Sequence, residues 1–260
     1  MKKTALITGG ASGLGLELAL LFAKDGYNLI LVDINAEKLE ATKQNIENSF
    51  SVSVKILVKD LSQINISSEI MLEIGDVEID ALVNNAGFGC FGAFHEVEWE
   101  RQSEMLNLHV LTTTHLTKLV VEGMVKRGSG KILNLSSLAA FQPGPLMSLY
   151  YATKGYILSF SEAIANELKG TGVTVTALCP GPTKTSFQQV VASNSSENKI
   201  TFNMASAQAV AAYGYKCMMK GKCVAIPGGI NKILGTLPRF IPRNMAANIV
   251  RKIQEKNREG

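Results

Sequence analysis

Histidine and cysteine are scarce in this sequence, with 3 and 4 copies in 260 residues. The cysteines form no C-x-x-C pair, and no cluster of histidines stands beside them. This spacing excludes the common zinc sites and a disulfide framework. We expect buried thiols in a reducing compartment at Cys90, Cys179, Cys217 and Cys223. We expect surface or satisfied core histidines, without a metal, at His95, His109 and His115.

Long apolar runs are also absent. No stretch of 18 uninterrupted apolar residues occurs, so no integral membrane segment is predicted. The first residues, MKKTALITGG, run directly into a strand pattern and do not match a signal peptide. The net charge is only +4, so no overall field favours nucleic acid as a partner. These features predict a cytoplasmic protein that binds no nucleic acid.

Apolar runs of strand length alternate with helical patterns along the chain. Hydrophobic residues make up 46% of the sequence, enough for the core of one α/β domain. Seven strand-like runs separated by helical segments predict a parallel sheet covered on both faces. The predicted strands cover residues 4–8, 28–33, 53–60, 80–85, 130–137, 173–180 and 223–228. The predicted helices cover residues 13–25, 35–48, 99–127, 150–169 and 205–220.

A glycine-rich turn, TGGASGLG at residues 8–15, separates the first predicted strand from the first helix. Its spacing fits neither G-x-G-x-x-G nor the P-loop. A helix N-terminus offers free N–H groups and partial positive charge to a pyrophosphate, and glycines let the backbone approach it. A tight turn that binds nothing is the alternative. The residues predicted to cradle the phosphates are Gly9, Ser12, Gly13, Leu14 and Gly15.

The second predicted strand ends in Asp33, 18 residues after Gly15. At this distance a Rossmann fold places a carboxylate on the adenosine ribose, where it accepts hydrogen bonds from the hydroxyls and repels a 2′-phosphate. Ile34 follows, and Ser12 precedes Gly13, so neither position offers a cation to a 2′-phosphate. The pattern predicts NAD(H) as the cofactor. The alternative is that Asp33 only caps the next helix.

The glycine spacing T-G-x-x-x-G-x-G resembles that of the short-chain dehydrogenase/reductase family. Four further family motifs follow in order: NNAG at 84–87, NLSS at 134–137, YYATK at 150–154 and PGPTKT at 180–185. The resemblance covers about residues 4–230 and implies a Rossmann-type, doubly wound, seven-stranded parallel sheet. Residues 1–230 would form the dinucleotide-binding and catalytic domain, and residues 231–260 its amphipathic, basic extension. Further cofactor contacts implied by the family are Asp60, Leu61, Asn85, Ala86, Gly87, Tyr150, Lys154, Pro180, Gly181, Thr183 and Thr185.

Tyr150 and Lys154 stand one helical turn apart and share a helix face. A free tyrosine titrates near 10, so proton exchange near neutral pH needs a pKa lower by roughly 2 to 3 units. The Lys154 ammonium and the positive nicotinamide of the oxidised cofactor are expected to lower it. Tyr150 would then be the general acid in ketone reduction and the general base in alcohol oxidation. The adjacent Tyr151 is the weaker alternative.

Two further residues match family positions. Ser137, 13 residues before Tyr150, would hydrogen-bond the substrate oxygen as it gains charge, with Ser136 as its rival. Asn107 would loosen the long helix and hold a water that leads to the lysine, or it is simply a polar helix residue. The cofactor carries the hydride, while the protein supplies orientation and charge.

The residues expected near the substrate are mainly apolar, with no arginine placed to grip a carboxylate or phosphate. They are Phe88, Phe91, residues 138–142 and a lid at 186–205 that contains Phe187 and the polar run 188–203. A hydrophobic ketone or secondary alcohol, such as a fatty, steroid-like or other cyclic carbonyl, follows as a hypothesis. A non-catalytic redox sensor is the rival function, although sensing would not require the Ser, Tyr and Lys set. A sugar-nucleotide epimerase would need a larger C-terminal domain.

The C-terminal extension carries the whole net charge, with six basic and two acidic residues after Leu237. Met245, Ile249 and Ile253 recur at four-residue spacing with Val250 beside them, which predicts an amphipathic helix. Such a helix would cap the substrate cleft or a subunit contact, or it would touch a membrane surface. By family resemblance, a homodimer through the two long helices is expected.

Overall fold

The computed structural model describes residues 2–185 and 204–259, with side chains described as far as residue 256. The part of the predicted lid from 186 to 203, including Phe187 and the polar run, lies outside these residues.

Seven parallel strands form the main sheet: β1 Thr4–Thr8, β2 Asn28–Asp33, β3 Val54–Val58, β4 Ala81–Asn84, β5 Gly130–Leu135, β6 Val173–Leu178 and β9 Val224–Ala225. Their order in the sheet is β3-β2-β1-β4-β5-β6-β9. All are rich in apolar residues, and the central β1 is buried along its whole length, as expected for a sheet covered on both faces. The predicted Rossmann-type, doubly wound sheet is thus confirmed. A separate two-stranded pair, β7 Thr183–Lys184 with β8 Ala205–Ser206, was not predicted.

Helices cover both faces of the sheet. The five predicted helices are present, and the long one at 99–127 is interrupted by a π-helical turn at Asn107–Thr112. The helix Ile66–Ile74 was not predicted, because it has only nine residues and Asn65 precedes it in a left-handed conformation without a side-chain cap. The helices are α1 Gly13–Lys24, α2 Ala36–Ser49, α3 Ile66–Ile74, α4 Trp99–Leu106, α5 Thr113–Arg127, α6 Ser148–Glu167, α7 Ala207–Met219, α8 Gly229–Thr236 and α9 Arg243–Glu259. Short 3₁₀ turns lie at Leu138–Phe141 and Leu237–Phe240.

Alternate residues of each strand pack on opposite faces, which creates two apolar cores. From β1, Ile7 joins the core that contains Phe22 of α1, whereas Leu6 joins the core that contains Ile70 of α3 and Leu116 of α5. All of these side chains are fully buried. At roughly 1.5–3 kcal/mol for each large apolar side chain, such burial is the main stabilising contribution of the two layers.

Strand β1 pairs in parallel with β2 on one side and with β4 on the other. The strand order reverses between β1 and β4. In sheets of this kind ligands bind beyond the carboxyl ends of the strands at the reversal point. The chain segments that leave this edge are the glycine turn after β1, the loop after β4 and the segment after β5. The fold therefore brings the sequence motifs to one edge of the sheet.

A buried polar chain joins this edge to α6. The Asn84 amide donates to Asn134 Oδ1 at 2.8 Å, and the Asn134 amide donates to Ser161 Oγ at 2.9 Å. All three side chains are at most 6% exposed, so an unpaired polar atom here would carry the full desolvation penalty. The network consequently fixes α6 against β4 and β5.

Gly15 allows α1 to start close to the end of β1. A Cβ at this position would overlap the carbonyl oxygen of Gly9 and lie 2.6 Å from the Asn85 side-chain nitrogen. Gly155, another helical glycine, has no heavy atom nearer than 3.5 Å to a Cβ added there.

We therefore expect Gly15→Ala and Gly155→Ala to change stability in opposite directions. Gly15→Ala should lower the free energy of unfolding by about 1–3 kcal/mol, as overpacking does. Gly155→Ala should raise it by about 0.5–1 kcal/mol, because alanine favours a helix. Urea unfolding of both variants measures this. Equal effects of the two substitutions would contradict the close approach at Gly15.

Candidate active site

The glycine turn has the geometry of an anion cradle. Gly9 and Gly13 have φ values of +66° and +55°, which side chains rarely adopt. Ser12 is the N-cap residue of α1, yet its side chain makes no capping hydrogen bond to the helix. The first N–H groups of α1 are therefore not used by a capping side chain. With Leu14 buried behind the turn, these residues fit the pyrophosphate of a dinucleotide.

The end of β4 is bound tightly to this turn. Asn85 donates from its side-chain nitrogen to the carbonyl oxygens of Thr8 at 3.0 Å and Gly9 at 3.1 Å. The Thr8 hydroxyl accepts the backbone N–H groups of Asn85 and Ala86 at 3.0 and 3.1 Å. The Asn85 side chain thus maintains the shape of the turn, a structural task that the sequence did not reveal.

Asp33 lies half-buried at the carboxyl end of β2, beside the glycine turn. One of its carboxylate oxygens accepts the N–H of Ala11 at 3.1 Å, and the other accepts that of Asn35 at the same distance. Asn35, not Asp33, caps α2, because its side chain accepts the N–H of Lys38 at 2.8 Å. The capping alternative for Asp33 is therefore wrong. Ile34 is 68% exposed and brings no cation to this position.

Asp60 closes the loop after β3. Its oxygens accept hydrogen bonds from the N–H and hydroxyl of Ser62 and from the side chain of Gln63. Partial burial alone would raise the pKa of Asp60, but the hydrogen bonds from Gln63 and Ser62 outweigh it and lower the pKa. The next residue, Leu61, is buried, and its carbonyl oxygen accepts the hydroxyl of Thr112 at 2.8 Å. The loop is thereby tied to the π-helical turn.

Ser137 and Tyr150 contact each other through their hydroxyl groups. The Ser137 side chain donates a hydrogen bond to the hydroxyl oxygen of Tyr150. The rival Ser136 is 2% exposed and donates to the carbonyl oxygen of Lys154 at 2.8 Å. The Ser136 hydroxyl is therefore used in a hydrogen bond to the backbone of α6. Ser137 is the serine that contacts the Tyr150 hydroxyl.

Lys154 is 3% exposed, and its Nζ donates to the carbonyl oxygen of Leu135 at 2.9 Å. Burial lowers the pKa of Lys154 to about 7. The Nζ lies 5.7 Å from the centre of the Tyr150 ring. A buried amine that exchanges protons near neutral pH thus stands one turn from the tyrosine.

The protein groups alone do not lower the pKa of Tyr150. Burial raises the pKa of this phenol to about 12, although the hydrogen bond from Ser137 opposes the rise. The expected fall therefore has to come from positive charge beside the phenol. The nearby Lys154 can supply little of this charge above pH 7, because its own pKa is lowered to about 7.

Asn107 begins the π-helical turn between α4 and α5, so the expected loosening of the long helix is observed at this residue. Its side chain is half-buried and makes no hydrogen bond to another residue in the described ranges. The π turn also places His109 and Thr112 in the interior. The water-holding role of Asn107 stays a prediction.

His109 is a buried core histidine, one of the two expected alternatives, but its contacts with the site residues were not predicted. Its Nε2 accepts the N–H of Phe88 at 3.3 Å, and its Nδ1 lies 2.9 Å from the Thr153 hydroxyl. Because Nε2 is an acceptor, Nδ1 carries the proton and donates to Thr153, whose hydroxyl donates to the Tyr150 carbonyl oxygen at 2.9 Å. Burial, aided by the nearby Lys154, holds the pKa of His109 well below its usual range, so the ring is neutral. Gly87 is needed here, because a Cβ would lie 2.6 Å from His109 Nε2.

The segment after β6 approaches the glycine turn. A Cβ added to Gly13 would lie 3.3 Å from the Thr185 methyl group. Thr183 donates to the Gly181 carbonyl oxygen at 2.9 Å, and the Pro180 carbonyl oxygen accepts the N–H of Leu138 at 2.9 Å. The PGPTKT segment thus lies between the turn and the strand end that carries Ser137.

Tyr151 lies beside Tyr150, with 6.2 Å between the ring centres, but its hydroxyl is directed to the C-terminal helix. This hydroxyl accepts a hydrogen bond from Gln254 of α9 at 3.2 Å. Tyr151 also lines a cavity of about 530 Å³, and residues 140–142 of the predicted substrate segment line the same cavity. Tyr151 is therefore a structural residue of the C-terminal contact.

Arg101 packs on Phe88, one of the predicted substrate residues. Its guanidinium lies 3.6 Å from the centre of the Phe88 ring and forms an ion pair with Glu104 at 2.9 Å. Helix α4 folds over the loop after β4 and brings residue 101 onto this ring, a tertiary contact that residue spacing does not reveal. That no arginine grips a substrate carboxylate or phosphate stays a prediction.

These elements converge at one end of the sheet, and the sequence matches a known family over most of its length. The model of the short chain dehydrogenases covers residues 3–196. The chain belongs to this family. In the rat, a very-long-chain 3-oxoacyl-CoA reductase is 31% identical over 247 residues, which cover 91% of this chain and 76% of the reductase. A diacetyl reductase that forms (S)-acetoin, from Staphylococcus epidermidis, is 37% identical over 189 residues, covering 71% of this chain and 73% of that protein.

Among solved structures, a short-chain dehydrogenase from Sphingobium yanoikuyae in complex with NADPH resembles this chain. The TM-score is 0.81 at 27% identity, with 94% of this chain and 98% of that protein covered. Within the described residues, no helix has the length and apolar character to span a membrane. In the same residues, His, Cys, Asp and Glu side chains form no cluster that could hold a metal ion.

The lowered pKa of Lys154 predicts a pH-dependent stability. Between about pH 7, the pKa of Lys154 in the folded protein, and pH 10.5, its ordinary pKa, the unfolded chain binds more protons at this lysine than the folded chain does. The free energy of unfolding of the wild type therefore increases with pH in this range. Lys154→Met removes this dependence. We expect the variant to be more stable than the wild type below about pH 7. Above pH 7, the difference between their free energies of unfolding, the gap, should narrow by at most about 1.4 kcal/mol per pH unit.

Urea unfolding of the two proteins from pH 6 to pH 9 measures the gap, because the remaining titratable groups are shared. A gap that stays constant across this range would show that Lys154 keeps its charge in the folded protein.

Proposed function

We propose that the protein is an NAD(H)-dependent oxidoreductase that interconverts a hydrophobic secondary alcohol and its ketone. The observation that carries the proposal is the hydrogen bond between Ser137 and the Tyr150 hydroxyl, with the buried Lys154 one turn away. Family membership supports an oxidoreductase of this class. The glycine turn and Asp33, at the same edge of the sheet, support the dinucleotide.

In the proposed reaction, Ser137 hydrogen-bonds the substrate oxygen, and Tyr150 exchanges a proton with it. During ketone reduction the phenol donates its proton to this oxygen as the carbonyl becomes an alcohol. In alcohol oxidation the phenolate takes that proton back. When bound, the dinucleotide supplies or accepts the hydride, and its oxidised ring adds a positive charge. Lys154, whose pKa is about 7, is suited to restore or remove the tyrosine proton.

The neutral His109 would act as a positioning residue in this scheme. It fixes Thr153, and Thr153 fixes the backbone of Tyr150 through the hydrogen bonds described above. Because the imidazole is uncharged, it adds no positive charge near Lys154. We further propose that Asn107 holds the water that connects Lys154 to solvent.

The cofactor preference rests on Asp33 and on its surroundings in this chain. Its carboxylate lies at the end of β2, where it can accept the ribose hydroxyls, and the exposed Ile34 offers no charge to a 2′-phosphate. The similar protein from Sphingobium yanoikuyae was solved with NADPH, so the fold alone does not indicate the preference, and the proposal relies on these two positions. The remaining predicted contacts, from Asp60 and Leu61 to Thr183 and Thr185, belong to the same proposal.

The substrate class follows from the apolar residues near the site. Phe88 lies beside His109, with 6.2 Å between ring centres, and the segment Leu138–Phe141 follows Ser137 directly. Fatty, steroid-like or other cyclic carbonyl compounds fit this lining. The name of the rat relative supports a long apolar chain, whereas that of the Staphylococcus epidermidis relative indicates a small diketone. A cytoplasmic homodimer, formed through the two long helices, completes the proposal.

The second candidate function is a redox sensor that binds the dinucleotide without turnover. Tyr150→Phe and its neighbour Tyr151→Phe separate the two. We expect Tyr150→Phe to lower kcat by about 10²- to 10⁴-fold, because the general acid is lost. We expect Tyr151→Phe to stay close to wild type, since its hydroxyl hydrogen-bonds Gln254 of α9.

The assay follows nicotinamide absorbance with NAD(H) and NADP(H) over apolar ketones, secondary alcohols and diacetyl. Dinucleotide binding without turnover of any pair would favour the sensor. Faster turnover of diacetyl than of the bulky apolar ketones would contradict the substrate class alone.

A further inference from the structure

The C-terminal part of the chain exposes an unusual amount of apolar surface. Eight large apolar side chains there are each 45–79% exposed. We call them the C-terminal apolar surface: Ile230, Ile233, Leu234, Leu237, Phe240, Met245, Ile249 and Ile253. The first four recur at helical spacing along α8 and the turn that follows, and the last three form a stripe along α9.

The orientation of α9 differs from what its sequence pattern suggests. Ala246 and Val250, each 3% exposed, are the residues buried against the domain, and Gln254 on the same side contacts Tyr151. The stripe of Met245, Ile249 and Ile253 consequently faces outward. A helix that had only to cap the domain would bury its large side chains and expose the small ones. The reverse arrangement indicates a second contact for the outer face.

Basic residues accompany this surface. Lys252 lies two turns after Met245, and Lys256 two turns after Ile249, so both lie along the apolar stripe. Lys232, Arg239 and Arg243 are exposed between and beside the other apolar residues. None of these five cations forms an ion pair with a residue that the structure describes. Glu255 is paired with Arg251 at 2.7 Å, on another side of α9.

These charges favour a lipid surface over a second copy of the chain as the partner of the C-terminal apolar surface. If the surface paired with a second copy of itself, cations of one copy would meet cations of the other without compensating acids. An anionic lipid surface provides both requirements, because its acyl region receives the apolar side chains and its phosphates receive the lysines and arginines. Lysine is suited to the boundary, since its stem is apolar and its ammonium reaches the headgroups.

We propose that the C-terminal apolar surface binds the face of an anionic lipid bilayer. The apolar side chains enter the acyl boundary, and the cations bind lipid phosphates without any segment crossing the membrane. This inference does not depend on the proposed function, because it concerns residues remote from Tyr150 along the chain and is measured without turnover.

Sedimentation of the full chain with vesicles tests the proposal. We expect at least about tenfold stronger binding to vesicles of phosphatidylcholine with 30% phosphatidylglycerol than to phosphatidylcholine alone, because the exposed cations are attracted to the anionic surface. Phe240→Ser with Ile249→Ser should weaken this binding by about tenfold or more, because transfer into the acyl boundary is lost. Leu72→Ser is the matched control, since Leu72 is 85% exposed on α3.

The charge contribution has a control of the same spacing. Lys252→Glu with Lys256→Glu should remove the preference for phosphatidylglycerol. Lys216→Glu with Lys220→Glu changes the net charge by the same amount at another exposed i,i+4 pair, at the end of α7. This control should retain most of the preference for phosphatidylglycerol. Thermal unfolding verifies that each variant is folded.

Absence of vesicle binding by the wild type would overturn the proposal. Equal loss in both charge-reversal pairs would overturn it as well, because the attraction would then reflect net charge alone. If Phe240→Ser with Ile249→Ser instead changed the oligomeric state in sedimentation velocity, with no vesicle binding, the surface would be a protein interface.

Discussion

The close approach of the glycine turn to the end of β4 is the constraint on which the site depends. Gly9 and Gly15 leave no room for a Cβ, and Asn85 fills the remaining space with hydrogen bonds to the carbonyl oxygens of Thr8 and Gly9. This contact lies where the strand order reverses, so the N-terminus of α1 and the loop after β4 face the same opening. A side chain at either glycine would separate them and displace the proposed phosphate cradle from the proposed catalytic residues.

Buried polar contacts then orient Tyr150 and Lys154, the proposed catalytic residues. Ser136 and His109 do not reach the reacting atoms, yet their hydrogen bonds hold the backbone of α6 at Lys154 and Tyr150. Because both are almost fully buried, a lost partner would leave a polar atom without a hydrogen bond in a low dielectric. The same low dielectric produces the lowered pKa of Lys154 and the raised pKa of Tyr150. Positioning and proton chemistry therefore have one physical origin.

Most of the fold could be predicted, and the residues of the proposed site could be named, because both depend on local patterns and short family motifs. Apolar runs, the glycine turn and the Tyr150 to Lys154 spacing are each contained in a short window of sequence. The missed features depend on distant contacts. His109 is a lone histidine whose partners come from other segments, and the outward stripe of α9 depends on which side of the helix meets α6. Helix α3 was missed because a nine-residue segment without a cap carries little local signal.

The central claim is that the turn at Gly9–Gly15 and the carboxylate of Asp33 hold a dinucleotide that lacks a 2′-phosphate. Titration of the wild-type protein and Asp33→Ala with NADH and with NADPH, followed by calorimetry, tests it most directly. The account predicts wild-type binding of NADH at least about tenfold tighter than that of NADPH, and a ratio near one in the variant, because the repulsive carboxylate is removed. Tighter wild-type binding of NADPH, or binding of neither, would contradict it.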